Sequence, residues 1–146
     1  MEDFVSFEIA VKLKEKGFNE LCTYAYCEQG GWNKYKQERE PITYVLRTDG
    51  NPFGSFYRGK NWNVKYETNK NKIRCSAPTI SQVLKWLREE KCLHIEILHI
   101  FSEETLWDFE IARIGSYERW WNDLGLFDSY EQAALAGIEY CLDNLI

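Results

Sequence analysis

Pro78-Thr79-Ile80-Ser81-Gln82-Val83-Leu84-Lys85-Trp86-Leu87-Arg88-Glu89-Glu90-Lys91 is the stretch whose reading decides the fold. Thr79 stands three residues before Gln82, the spacing of a capping box. Ile80, Val83, Leu84 and Leu87 then recur on one helical face, with Trp86 beside them. The period changes directly afterwards. His94 to Phe101 alternates, with Ile95, Ile97, His99 and Phe101 on one face. Leu106 to Ile114 does the same through Trp107, Phe109 and Ile111, and Ser102-Glu103-Glu104-Thr105 joins the two. A last helix is expected over 129–145, capped by Asp128 with Glu131 and buried along Ala134, Ile138, Cys141, Leu142 and Leu145. Ala133, Ala136 and Gly137 keep that helix slim. A helical Gly costs about 1 kcal/mol against Ala, so Gly137 implies close approach of another backbone. The second half therefore reads as a helix–strand–strand–helix unit.

Working towards the N-terminus, Ser6 to Lys16 reads as a short helix. Ser6 caps it, Glu8 suits its first turn, and Ile9, Ala10 and Leu13 share a face. Gly17 closes it in a left-handed conformation, returning Phe18 to the last turn. Leu21 to Cys27 reads as a strand ending at Gly30-Gly31. Ile42 to Arg47 is a further strand, stopped by Asp49-Gly50-Asn51-Pro52. Asn61 to Glu67 alternates enough for another, and the rest of 30–74 reads as loop. Ser6-Phe7-Glu8-Ile9-Ala10 echoes Ser129-Tyr130-Glu131-Gln132-Ala133, through shared helix-start chemistry or through duplication. The expected class is α+β, with a small antiparallel sheet packed by three helices. At 146 residues one domain is expected, in three segments: 1–29, 30–74 and 75–146.

Net charge is −5 but unevenly placed: −3 over residues 1–29, +6 over 30–74 and −8 over 75–146. Aromatic residues make up 16% of the chain, with six Trp, which supplies buried area or recognition surface. The five cysteines are odd in number and show no C-x-x-C spacing. They read as reduced, mostly buried thiols rather than as a zinc set. The opening Met-Glu-Asp has no basic, apolar leader, and the apolar run near Ile95 to Phe101 is too short to span a bilayer. A cytoplasmic protein with no metal and no cofactor is expected.

Ser6 to Phe18, Ser76 to Lys91 and Asp128 to Ile146 together resemble small uncharacterised proteins encoded by phages, prophages and other mobile elements. The resemblance covers about a third of the chain. It implies a phage-type setting in the cytoplasm of a bacterial host, and it carries no activity or catalytic residue. Segment 30–74 falls outside it.

No catalytic set assembles. Gly54 to Asn61 nearly matches a P-loop, but Asn61 supplies no metal-binding hydroxyl and no helix follows. His94 and His99 lie five apart on a strand, hence on opposite faces, and Cys92 stands at a helix end rather than a helix start. Asp108 and Glu110 share a strand face that reads as acidic and solvated.

Two patches remain. In 30–74, Lys34, Lys36, Arg39, Arg47, Arg58, Lys60, Lys65, Lys70, Lys72 and Arg74 interleave with Trp32, Tyr35, Tyr44, Phe53, Phe56, Tyr57, Trp62 and Tyr66. Cations hold phosphates and aromatic faces stack bases. The candidate ligand residues there are Tyr57, Arg58, Lys60, Trp62, Lys65 and Tyr66. The second patch, Tyr117 to Asn122, offers Tyr117, Arg119, Trp120 and Trp121 to a partner. Adjacent Trp residues do not both bury in regular structure, and Trp and Arg anchor interfaces. The leading expectation is a non-catalytic binding protein that captures a host protein or a small anionic ligand such as a nucleotide. Nucleic-acid binding through 30–74 is the alternative, a small enzyme with an unassembled site is a third, and self-association stays open.

Overall fold

The computed structural model describes residues 3–47, 59–63, 73–101 and 105–146. They group into two compact units, residues 6–78 and residues 79–146 with the N-terminal residues through Val5. Among the described residues are three helices and two antiparallel three-stranded sheets, a mixed α+β architecture. One small sheet was expected; the described strands divide between two, because those of residues 24–77 pair with one another and those of residues 93–121 pair with one another.

The first unit holds α1 (Phe7–Glu15), β1 (Tyr24–Asn33), β2 (Glu38–Arg47) and β3 (Ile73–Ala77). The ends of α1 follow the sequence. Ser6 Oγ accepts from the Ile9 amide. At the other end Phe18 N donates to Leu13 O and Gly17 N to Lys14 O, with Gly17 at φ +84°. That is a Schellman turn, and it sets Phe18 into the core beside Ile9, Ala10 and Leu13.

Strand β1 does not stop at Gly30-Gly31 but runs on to Asn33, paired with β2. Between Gln29 and Gly31 the register slips, so that Pro41 and Ile42 oppose Gly30 alone. A Cβ on Gly30 would overlap the Pro41 carbonyl oxygen. The glycine therefore admits a bulge rather than ending the strand, and the bulge accommodates a proline that has no N–H to donate.

β3, read from the sequence as loop, pairs with the other edge of β1, Tyr24 opposite Ala77 and Tyr26 opposite Cys75. It is too short to show alternation, and Cys75, Ser76 and Ala77 are all buried. Residues 61–63 form a turn rather than the start of a strand, and 64–67 lie outside the described residues. That turn clasps the core. Cys22 and Lys60 exchange both backbone hydrogen bonds. The Trp62 amide donates to Ser76 Oγ at 3.0 Å, its indole N–H to Cys22 O at 2.8 Å, and Asn63 Nδ2 to Phe18 O at 2.7 Å.

The second unit holds α2 (Ile80–Glu90), β4 (Leu93–Phe101), β5 (Thr105–Arg113), β6 (Arg119–Trp121) and α3 (Tyr130–Asn144), with sheet order β4-β5-β6. Thr79 and Gln82 form the full capping box. The long β4–β5 ladder runs from Leu93 opposite Arg113 to Phe101 opposite Thr105. Its inner face carries Ile95, Phe109 and Ile111, and α3 packs on both strands while α2 packs on β4 and α3. Burying Leu87, Leu93, Ile111, Ile138 and Leu142 contributes roughly 1.5–3 kcal/mol each.

The cap of α3 is Ser129, not Asp128. Ser129 Oγ accepts from Gln132 N and Gln132 Oε1 accepts from Asp128 N. Ser6 and Ser129 thus play the same part, which is the chemistry behind their sequence echo. Gly137 is approached by side chains rather than by a backbone: a Cβ there would meet Ile95 Cγ2 at 2.9 Å and the Phe109 ring at 3.3 Å.

Candidate partner-binding surface

Residues 119–121 belong to the sheet as β6, although their aromatic run between the last long strand and the last helix shows no alternation to announce it. Arg119, Trp120 and Trp121 pair with Ala112, Ile111 and Glu110 of β5. Alternation then separates the two tryptophans. Trp120 shares the inner face with Ile111, half-buried, with the Arg113 guanidinium 5.4 Å from its ring. Trp121 shares the outer face with Glu110 and is 69% exposed.

The carboxylates of β5 hold this edge in place. Glu110 is buried and accepts from Arg119 Nη1 at 2.7 Å. Asp108, half-buried, accepts from Asn122 Nδ2 at 2.7 Å. The reading of Asp108 and Glu110 as a solvated acidic face is therefore corrected: Glu110 is engaged from β6 and Asp108 from the residue that follows it. An ion pair with one buried member is sensitive to loss of its partner, because a desolvated charge is left uncompensated.

Past Asn122 the chain leaves the ladder and returns at Phe127, which exchanges both backbone bonds with Trp107. The excursion is organised by Asn122. Its Nδ2 also donates to Gly125 O, and its Oδ1 accepts from Leu124 N. Gly125 adopts φ +95°. The loop carries Leu124, 73% exposed, and Leu126, also exposed. Trp121 and Leu124 line one cleft with Trp120 and Tyr140. Its volume is about 10 Å³, roughly the space of one water. The carboxylate on its rim, Asp123, is exposed.

Tyr117 lies at the tip of the β5–β6 turn and is fully exposed. Beneath it Arg113 Nε donates to Glu118 Oε2 at 2.6 Å. The structure thus puts Arg119 and Trp121 on one face of the β6 edge, Trp120 on the other, and Tyr117 in the turn before it. Leu124 and Leu126 were not singled out from the sequence. The signal was present in their alternation about Gly125, but exposure is not encoded locally.

The ligand set in 30–74 fares differently. Tyr57, Arg58, Lys65 and Tyr66 lie outside the described residues. Lys60 is exposed, with its ammonium 5.5 Å from the Trp62 ring centroid. Trp62 itself is only 4% exposed and serves the core. Among the described residues of this half the most exposed aromatics are instead at the tip of the β1–β2 hairpin, Trp32 at 63% and Tyr35 at 99%, with Tyr44 at 40%.

Among the described residues no three His, Cys, Asp or Glu come together as a metal-holding group. His94 and His99 take opposite faces of β4, as their spacing implies, and His99 lies 5.1 Å from Trp107. All five cysteines are unpaired, and only Cys92 is exposed. Burial pushes the Cys22, Cys75 and Cys141 thiols up to about 12, the reverse of what an activated nucleophile needs. No described helix is long and apolar enough to cross a membrane. Comparisons with protein-family models, with curated proteins and with solved structures find no match to this chain.

Proposed function

We propose that this chain is a non-catalytic binding protein of phage type, acting in the host cytoplasm, that captures a host protein through the β6 edge and the loop after it. One observation carries the reading: Trp121 and Leu124, both large, apolar and exposed, line one cleft on a segment pinned by Asn122 and Asp108. Rigid apolar anchors lose little entropy on docking, which is why Trp recurs at energetic centres of interfaces. The polar rim expected of such a surface is present in Arg119, Asp123 and Glu118. A small anionic ligand fits this edge less well, since the cleft has space for about one water and its rim carries Asp123. Five unpaired cysteines accord with a reducing compartment.

The test is affinity capture from bacterial lysate with three proteins: the parent chain, Trp121→Ala/Leu124→Ser, and Lys85→Ala on the exposed face of α2 as a surface control. A host protein retained by the parent and the control but lost by the double variant is expected. Identical retention by all three would remove the β6 edge as the docking surface.

A further inference from the structure

We propose a second site, on the other compact unit: the tip of the β1–β2 hairpin binds single-stranded nucleic acid. It is independent of the β6 edge in residues and in chemistry.

The hairpin presents two aromatic faces to solvent, Trp32 and Tyr35. Cations interleave with them. Lys34 and Lys36 flank Tyr35 in the turn, and Arg39 is the cross-strand partner of Trp32. All three are exposed. The spacing alternates charge and ring as a single strand alternates phosphate and base. Stacking on an aromatic face tolerates any base, while neighbouring cations hold the backbone. A duplex offers phosphates but hides its base faces, so it uses only half of this arrangement.

The tip is built rather than loose. Asn33 Oδ1 accepts from Tyr35 N at 3.0 Å and from Lys36 N at 3.1 Å. Asn33 Nδ2 donates to Glu40 Oε1 at 2.9 Å. An open cleft of about 340 Å³ lies against Trp32, Lys34 and Tyr35, within the range of small-ligand clefts, roughly 300–1,000 Å³. The carboxylate on that cleft, Glu40, is met by both Asn33 and Lys36 Nζ, the latter at 3.5 Å. Its charge is therefore partly offset where a phosphate would sit. The whole chain is acidic, but phosphate affinity follows local cation density, and the tip, residues 32–40, sets Lys34, Lys36 and Arg39 against Glu38 and Glu40, net +1.

Fluorescence anisotropy with labelled oligo-dT of about 12 nucleotides, inside the site sizes common for stacking platforms, tests the proposal. Binding is expected at low salt, with log K falling against log salt at a slope of about −2 for three cations on a single strand. Trp32→Ala and Tyr35→Ala should each weaken binding by about fivefold or more, Lys34→Glu should weaken it, and Lys85→Ala, which removes an exposed cation on α2, should leave it unchanged. Circular dichroism verifies that each variant folds. Tyr35, the more exposed ring, carries the test should Trp32→Ala unfold the hairpin. Absence of binding at low salt overturns the site. So does binding that survives Trp32→Ala/Tyr35→Ala, duplex binding of equal strength, or a free mononucleotide that binds as tightly as the strand.

Discussion

Replacing Gly137 by Ala sets two effects of known size against each other. In the middle of α3, Gly→Ala should add about 1 kcal/mol from helix propensity alone. The new methyl, however, would stand 2.9 Å from Ile95 Cγ2 and 3.3 Å from the Phe109 ring. Both neighbours are buried core side chains, not flexible ends that swing away. Overpacking of this kind costs about 1–3 kcal/mol. The expected net is a loss of roughly 1 kcal/mol, read as a lowered urea midpoint by far-ultraviolet circular dichroism. A second background isolates the cause. Ile95→Leu removes the Cγ2 branch at near-constant volume, at a cost under about 1.5 kcal/mol. In that background Gly137→Ala should become neutral or stabilising, a coupling of about 1–2 kcal/mol between contacting sites. If Gly137→Ala stabilises the parent chain by its full propensity gain, the methyl meets no obstacle and the account of α3 packing on β4 and β5 fails.

Ser76→Ala removes the acceptor of the buried Trp62 amide and should destabilise by about 1–3 kcal/mol, measured by the same urea titration; an unchanged midpoint would show that the clasp of residues 59–63 is not held there. Cys92 follows α2 at φ +55°, a conformation that costs a non-glycine residue roughly 1–2 kcal/mol, so Cys92→Gly should stabilise by about 0.5 kcal/mol after the added freedom of the unfolded chain. Burial raises the thiols of Cys22, Cys75 and Cys141 from 9.0 to about 12. The folded state then keeps those protons longer than the unfolded chain, so stability is intact below pH 9 and is lost as pH rises towards 12. Urea midpoints at pH 8 and pH 10.5 in reducing buffer check the sign, and alkylation of the native protein should mark Cys92 before the other four.

Local order was legible where neighbours in sequence are neighbours in space. Thr79 with Gln82, Ser6 before its helix, the Gly17 turn and the alternation of β4 and β5 all act within a few residues. The same reasoning placed one of the two adjacent tryptophans towards solvent or a partner, because regular structure does not bury two neighbours fully. It slipped by one residue at Ser129, where Asp128 and Ser129 both cap well and the choice depends on which backbone amide leads the helix. It ended β1 too soon, because Gly30-Gly31 is a stop signal locally and a bulge only once Pro41 lies across from it.

The rest belongs to tertiary structure. Pairing partners of β1 arrive from residues 38–47 and 73–77, and no local pattern says which edge accepts which strand. Asp108 and Glu110 read as solvated until β6 and the residue after it lie beside them and supply Arg119 and Asn122. Trp62 read as a ligand platform until Cys22 and Ser76, far away in sequence, took its two N–H groups. Sequence alone settled the starts of α1 and α2, the periods of β4 and β5 and the charge map, since these depend on backbone dihedrals and composition. Which aromatics face solvent, and hence where a partner can dock, was decided by strand pairing between distant segments, because exposure is a property of what covers a side chain rather than of the side chain itself.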